Sequence, residues 1–191
     1  MNDTAAEHTF LVNPIPMPLW LMRMELENAD RIIPGDEDKV RFTIELAMEN
    51  VRHETGGPFA AAIFDLRTDR LIAVGVNSVV PACQSWAHAE MVAFAHAQNK
   101  LGRFSLAGCV LASSCEPCAM CNGATPWSGV EELIYGATGE MAESVGFDEG
   151  YKGECWRDAF ARRGIRVDGP LLGDESFAPF ALYRKMNGTI Y

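Results

Sequence analysis

WAHAEMVAFAHAQNKLGRFSLAGCVLASSCEPCAMCNGATPWSGVEELIYG, residues 86–136, sets out a helix, a strand, a helix and a strand in succession. The first helix is predicted from Ala87 to about Leu101, and a buried strand follows from Cys109 to Ala112. The second helix runs from Cys118 to Trp127. Pro117 is read as its first helical position, where the missing N–H costs nothing. Pro126, late in that helix, should end or kink it. Leu133 to Gly136 reads as the next strand. Such alternation implies right-handed crossovers and a sheet with helices laid over it.

The reading extends outward in both directions. From Asp38, Val40, Ile44, Ala47, Met48 and Val51 share one helical face, and Gly56-Gly57 ends the run. Phe59–Phe64 and Leu71–Val76 are apolar strands joined through DLRTDR as a hairpin. Past Gly146 come two amphipathic segments, Glu154–Arg163 and Ser176–Asn187, separated by the short stretch IRVDG. The expectation is an α/β fold with a mixed central sheet of about five strands covered by helices. Residues 38–191 form its one domain. Residues 1–37 read as an extended arm on the domain or on a partner subunit, because three prolines in NPIPMP exclude a regular helix there.

Composition narrows the function. The 191 residues suit one globular domain with an adequate core. No apolar run reaches the roughly 20 residues that cross a bilayer, so no membrane association is expected. MNDTAAEHTF has no basic segment ahead of an apolar one, which argues for a cytoplasmic protein. The formal net charge is −10. Nucleic-acid binding draws most of its affinity from neutralised phosphates, so a small-molecule substrate fits better than nucleic acid. In a reducing compartment the six cysteines are thiols or metal ligands rather than disulfides. Cys83, Cys109, Cys115 and Cys155 are read as small buried residues, and His96 as a helix-surface histidine.

The chemistry concentrates in WAHAE and SCEPCAMC. Cys118 and Cys121 stand at i and i+3 of a helix start, so both can reach one ion. A helix N-terminus favours negative charge and lowers thiol pKa values. His88 opens the preceding helix, and a sheet edge can bring the two helix starts together. Three ligands leave the fourth tetrahedral position of a zinc ion open to water, as catalysis requires. The alternative is a closed structural zinc site with Cys115 as fourth ligand. Pro117 places Cys115 on the incoming strand or turn, and a structural site would leave Glu90, an acid beside the metal, without a purpose.

The pattern His-x-Glu followed by Pro-Cys-x-x-Cys resembles that of zinc-dependent nucleobase deaminases. In them a zinc-bound hydroxide attacks the amine-bearing ring carbon, and the glutamate, here Glu90, shuttles protons. GGPFAAAIF (56–64), GVNSVV (75–80), AHAE (87–90), SCEPCAMCNGA (114–124), WSGV (127–130) and ESVGFDEG (143–150) resemble bacterial guanine deaminases of the cytidine-deaminase superfamily. The resemblance covers roughly residues 38–190. It implies a three-layer α/β/α sandwich, one catalytic zinc per subunit on His88, Cys118 and Cys121, a purine base as substrate, C-terminal helices near the active site, and a homodimer. It matches Asn77 to a purine-binding asparagine, and Phe59, Ala89, Trp127, Phe147 and Asp148 to the pocket. Glu149 matches a second acid in proton transfer. Guanine's edge presents N1–H and an amine, both donors, which a carboxylate can accept; an acidic turn is the plainer reading of DEG. Tyr191 is set beside a terminal aromatic that closes the site in some relatives. Guanosine or a guanine-like triazine is the alternative substrate, followed by cytosine or a tRNA adenosine.

Overall fold

The computed structural model describes residues 17–29 and 31–191. In chain order the elements are α1 (Leu19–Asn28), α2 (Asp36–Arg52), β1 (Ala60–Asp65), β2 (Leu71–Val76), α3 (Val79–Ala82), α4 (Ala89–Leu101), β3 (Cys109–Cys115), α5 (Ala119–Ser128), β4 (Glu132–Ala137), α6 (Gly139–Glu143), α7 (Trp156–Ala161), β5 (Arg166–Asp168) and α8 (Gly173–Lys185). The strands form one mixed sheet in the order β2-β1-β3-β4-β5. β1 is antiparallel to β2 and β3, whereas β3, β4 and β5 are mutually parallel. The expected α/β architecture is therefore present, with IRVDG supplying the fifth strand.

Strands buried on both faces need cover on both. Ala60, Ala62, Phe64, Val74, Val110 and Ile134 pack with Leu21 of α1 and Val40, Ile44 and Ala47 of α2. On the opposite face Ala61, Ile63, Ala73, Leu111 and Tyr135 meet Ala89, Ala93 and Phe94 of α4 and Phe160 of α7. Small residues let α4 approach closely. A β-carbon on Gly75 would lie 2.3 Å from the Ala89 carbonyl oxygen and 2.4 Å from the Ala93 nitrogen. Both are backbone atoms, so α4 would have to shift. Gly75→Ala is expected to destabilise the protein by about 1–3 kcal/mol, the usual cost of overpacking. An unchanged thermal midpoint would show that α4 is not seated on β2 as described.

The arm departs from expectation. α1 starts directly after Pro18, its N-cap; a proline restricts the residue before it, not the helix after it. Met1–Pro16 and Asp30 lie outside the described residues. The described part packs on its own domain. Trp20 stacks on His53 at 5.2 Å and donates to Thr55 Oγ1 at 2.9 Å. Glu25 Oε2 accepts from the Val74 N–H of edge strand β2 at 3.3 Å, and Ile33 N donates to Asp69 O at 3.0 Å. The arm thus occupies hydrogen-bonding groups that an edge strand would otherwise present to a second chain.

Topology also decides where function can gather. Because β1 is antiparallel to both neighbours, β2 runs with β3, β4 and β5. The carboxyl ends of β2, β3 and β4 therefore open on one edge of the sheet, the side on which open α/β sheets bind ligands. β2 leads there into Asn77, β3 into Glu116-Pro117-Cys118, and β4 into α6 and the loop bearing Glu149.

Candidate active site

His88 is the N-cap of α4 and Cys118 the N-cap of α5, both with extended backbones (φ −72°, ψ 156° and φ −61°, ψ 173°). Pro117 thus stands just before the cap rather than inside the helix. Glu90 and Cys121 follow in the two first turns. Cys118 Sγ lies 3.4 Å from His88 Nδ1. Ligand atoms of His88, Cys118 and Cys121 all lie within 4.8 Å of one another. Tetrahedral zinc needs such atoms about 3.5–3.8 Å apart, given its bond lengths of about 2.0–2.3 Å. Cys115 is apart from this group, its Sγ 3.7 Å from the Thr138 carbonyl. Among the described residues the set is three-membered, so a tetrahedral ion held by it would keep one position open.

The charges call for a cation. As protein groups alone, an S–H bond from Cys121 draws the Cys118 thiol down to about 4, with His88 assisting against burial. The same bond and burial push Cys121 up. Burial, then the charge on Cys118, raises Glu90. Burial, then Cys118 and Glu90, lifts the Glu149 carboxyl to about 8. A divalent ion answers this crowding, and two sulfurs with one imidazole nitrogen suit zinc.

A cavity of about 340 Å³ adjoins the ligands, near the lower end of small-molecule pockets at about 300–1,000 Å³. Phe59, Asn77, His88, Glu90, Cys118, Phe147, Asp148, Glu149 and Tyr191 all line it. Asn77 is fixed from several sides. Its N–H donates to Phe59 O at 3.0 Å, its carbonyl accepts from Asn50 Nδ2 at 3.0 Å, and its Oδ1 accepts from Val79 N at 3.3 Å. The Tyr191 hydroxyl also bonds the Asn77 side chain. Phe59 and Phe147 meet edge to face at 4.8 Å, with Phe180 of α8 against Phe59 at 5.3 Å. Asp148 Oδ1 accepts from Gly150 N at 2.9 Å and so braces the turn that carries Glu149.

Two predicted pocket residues lie elsewhere. Trp127 is 79% exposed, away from this chain's cavity, with the Arg163 guanidinium 5.5 Å from its ring. It sits near the far end of α5, about 13 Å from Cys118 at 1.5 Å per residue. α5 also runs on to Ser128, two residues past Pro126, instead of ending there. Ala89 packs its methyl into the core beneath α4. Cys83 and Cys155 are exposed, not buried. His96 is half-buried, and its Nδ1 donates to the Val74 carbonyl at 2.9 Å. Val79, Ser85 and Glu116 line the cavity without having been predicted. Of these only Glu116, a charge inside CEPC, carried a readable signal.

Comparison with known proteins agrees with this geometry. Residues 35–137 match the model of the cytidine and deoxycytidylate deaminase zinc-binding region. The guanine deaminase of Bacillus subtilis strain 168 is 37% identical over 115 residues, covering 60% of this chain and 72% of that protein. The structure of guanine deaminase from Nitrosomonas europaea is 38% identical with a TM-score of 0.85, covering 93% of this chain and 99% of that one. NE0047 in complex with 2,6-diaminopurine is 40% identical with a TM-score of 0.84, covering 92% and 94%. The matched region contains Asn77, His88, Glu90, Cys118 and Cys121, and the chain belongs to the cytidine and deoxycytidylate deaminase family.

Proposed function

We propose that the protein hydrolyses guanine to xanthine and ammonia, with Glu90 and Glu149 catalytic and one zinc per subunit on His88, Cys118 and Cys121. One observation carries this: a second buried carboxylate, Glu149, lines the same small cavity as His88, Cys118, Glu90 and Asn77. Guanine's N1–H and amine are both donors to such a group, whereas cytosine sets an acceptor nitrogen beside its amine. The similarity to guanine deaminases and to a structure holding a diaminopurine supports the same substrate class. Zinc supplies Lewis acidity and draws the pKa of a bound water towards about 7.

The chain's own residues do the rest. Glu90 accepts a proton from the attacking water and hands it to the ring nitrogen beside the reacting carbon. A carbon–oxygen bond forms there. As the new hydroxyl becomes the carbonyl it gives up its proton, which Glu149 relays to the amine it holds, and the carbon–nitrogen bond breaks to release ammonia. Asn77 and Phe59 fix the base, and Phe147 and Asp148 hold the turn of Glu149. We also take residues 38–191 as the catalytic domain of a cytoplasmic homodimer serving purine metabolism. Exposed Met120 and Trp127 on α5 support a partner surface. No helix of the described residues is long and apolar enough to cross a membrane.

Ammonia release should be measured on guanine, guanosine, cytosine, cytidine and adenine. Guanine is expected to react fastest, and release from another base but not from guanine rejects the assignment. Glu149→Gln should lower turnover on guanine about 10²-fold with zinc retained. A wild-type rate would reduce Glu149 to an acidic turn.

A further inference from the structure

The loop that carries Glu149 is held down by a cation that takes no part in the mechanism above. Lys152 Nζ donates to Glu116 Oε1 at 2.6 Å and to the Pro117 carbonyl at 3.0 Å. Both side chains are sheltered, 12% and 15% exposed. Glu116-Pro117 is the turn that delivers Cys118, and Lys152 follows Glu149 by three residues. A second tie lies between them: Ala119 N donates to the Glu149 carbonyl at 2.8 Å. On the other side of Glu149, Phe147 is locked among Phe59, Tyr183 and Tyr191. Glu116 is itself fixed, since it accepts from the Tyr135 hydroxyl, which in turn accepts from Arg157. The ammonium sits against Gly139, where a β-carbon would lie 3.2 Å from Nζ.

We propose that Lys152 is a positioning residue: its ammonium ties the Glu149 loop to the Glu116-Pro117 turn and so sets the Glu149 carboxylate relative to the metal ligands. The inference rests on the reading of Glu149 as a participant in deamination. An exposed ion pair contributes little to stability. This pair differs in being sheltered, in adding a backbone carbonyl as a second acceptor, and in joining two segments that each carry a functional group. Lysine suits the place because one compact ammonium offers several donors.

The test is Lys152→Met, alone and combined with Glu116→Gln, with kcat and KM on guanine, zinc content, and hydrogen exchange at the Ala119 amide in substrate-free protein. Expected are wild-type zinc, kcat lowered about 10²-fold with KM little changed, and faster exchange at Ala119. The double variant should be no slower than Lys152→Met, because both changes break one link. A wild-type kcat, additive losses, or unchanged exchange overturns the proposal. If Lys152→Met does not fold, Glu116→Gln carries the same exchange readout. Exchange is measured without substrate, so it decides the clamp even if guanine proves the wrong base.

Discussion

Glu90→Gln should lose at least about 10²-fold in turnover while keeping its zinc, the lower end of what a positioned general base contributes. Glutamine preserves the shape of the side chain but cannot take a proton from water and return it to the ring. Its position is fixed independently of its charge, because α4 rides on Gly75 through the Ala89 carbonyl and the Ala93 nitrogen. The loss should therefore fall on kcat, with the three ligands in place. Burial and the charge on Cys118 both oppose ionisation of Glu90. In the metal-free protein the neutral substitute should thus fold at least as stably, a pattern expected where function demands an unfavourable group. Metal analysis, thermal unfolding and initial rates on guanine check the three parts together. Retained turnover would remove Glu90 from the proton path.

Cys118 and Cys121 were legible as a pair because their spacing is local, and His88 as the start of the helix before them. An N-cap and a residue three further on share a helix face, whatever the rest of the fold does. The buried strands were equally readable as apolar runs, and their connection by helices implied the parallel part of the sheet. The fifth strand was not, since Arg166–Asp168 spans three residues without a buried face. α1 was hidden behind three prolines that govern only the chain before it. Trp127 lies outside this chain's own cavity because it stands near the far end of α5, a distance that resemblance does not measure. Cys83 escaped the rule that cysteines are buried by ending α3 in a left-handed conformation at φ 54°. The Lys152–Glu116 pair joins residues 36 apart in sequence, and such a contact leaves no periodic trace.

Removing the metal should have the other large effect. Cys121 is fully buried and Cys118 nearly so, hence Cys121→Ser or exhaustive chelation should abolish turnover to background. It should also lower the unfolding midpoint, because an ion that binds only the native state stabilises it, by about 2.7 kcal/mol at a hundredfold excess over Kd. Metal loss leaves the Cys118 thiolate facing two buried carboxylates. Glu149 then makes its own contribution to pH dependence. Its folded pKa, about 8, lies above the ordinary 4.5, so the native state binds the proton more tightly than the unfolded one. That contribution is complete below about 4.5 and is lost as pH rises towards about 8. Glutamine at this position never ionises. The metal-free Glu149→Gln protein should therefore gain stability relative to metal-free wild type across that interval, and the zinc-loaded pair should differ less. Equal pH profiles for the two metal-free proteins would mean that Glu149 is solvated rather than buried beside the ligands. Turnover that survives chelation would mean that His88, Cys118 and Cys121 do not hold a catalytic ion.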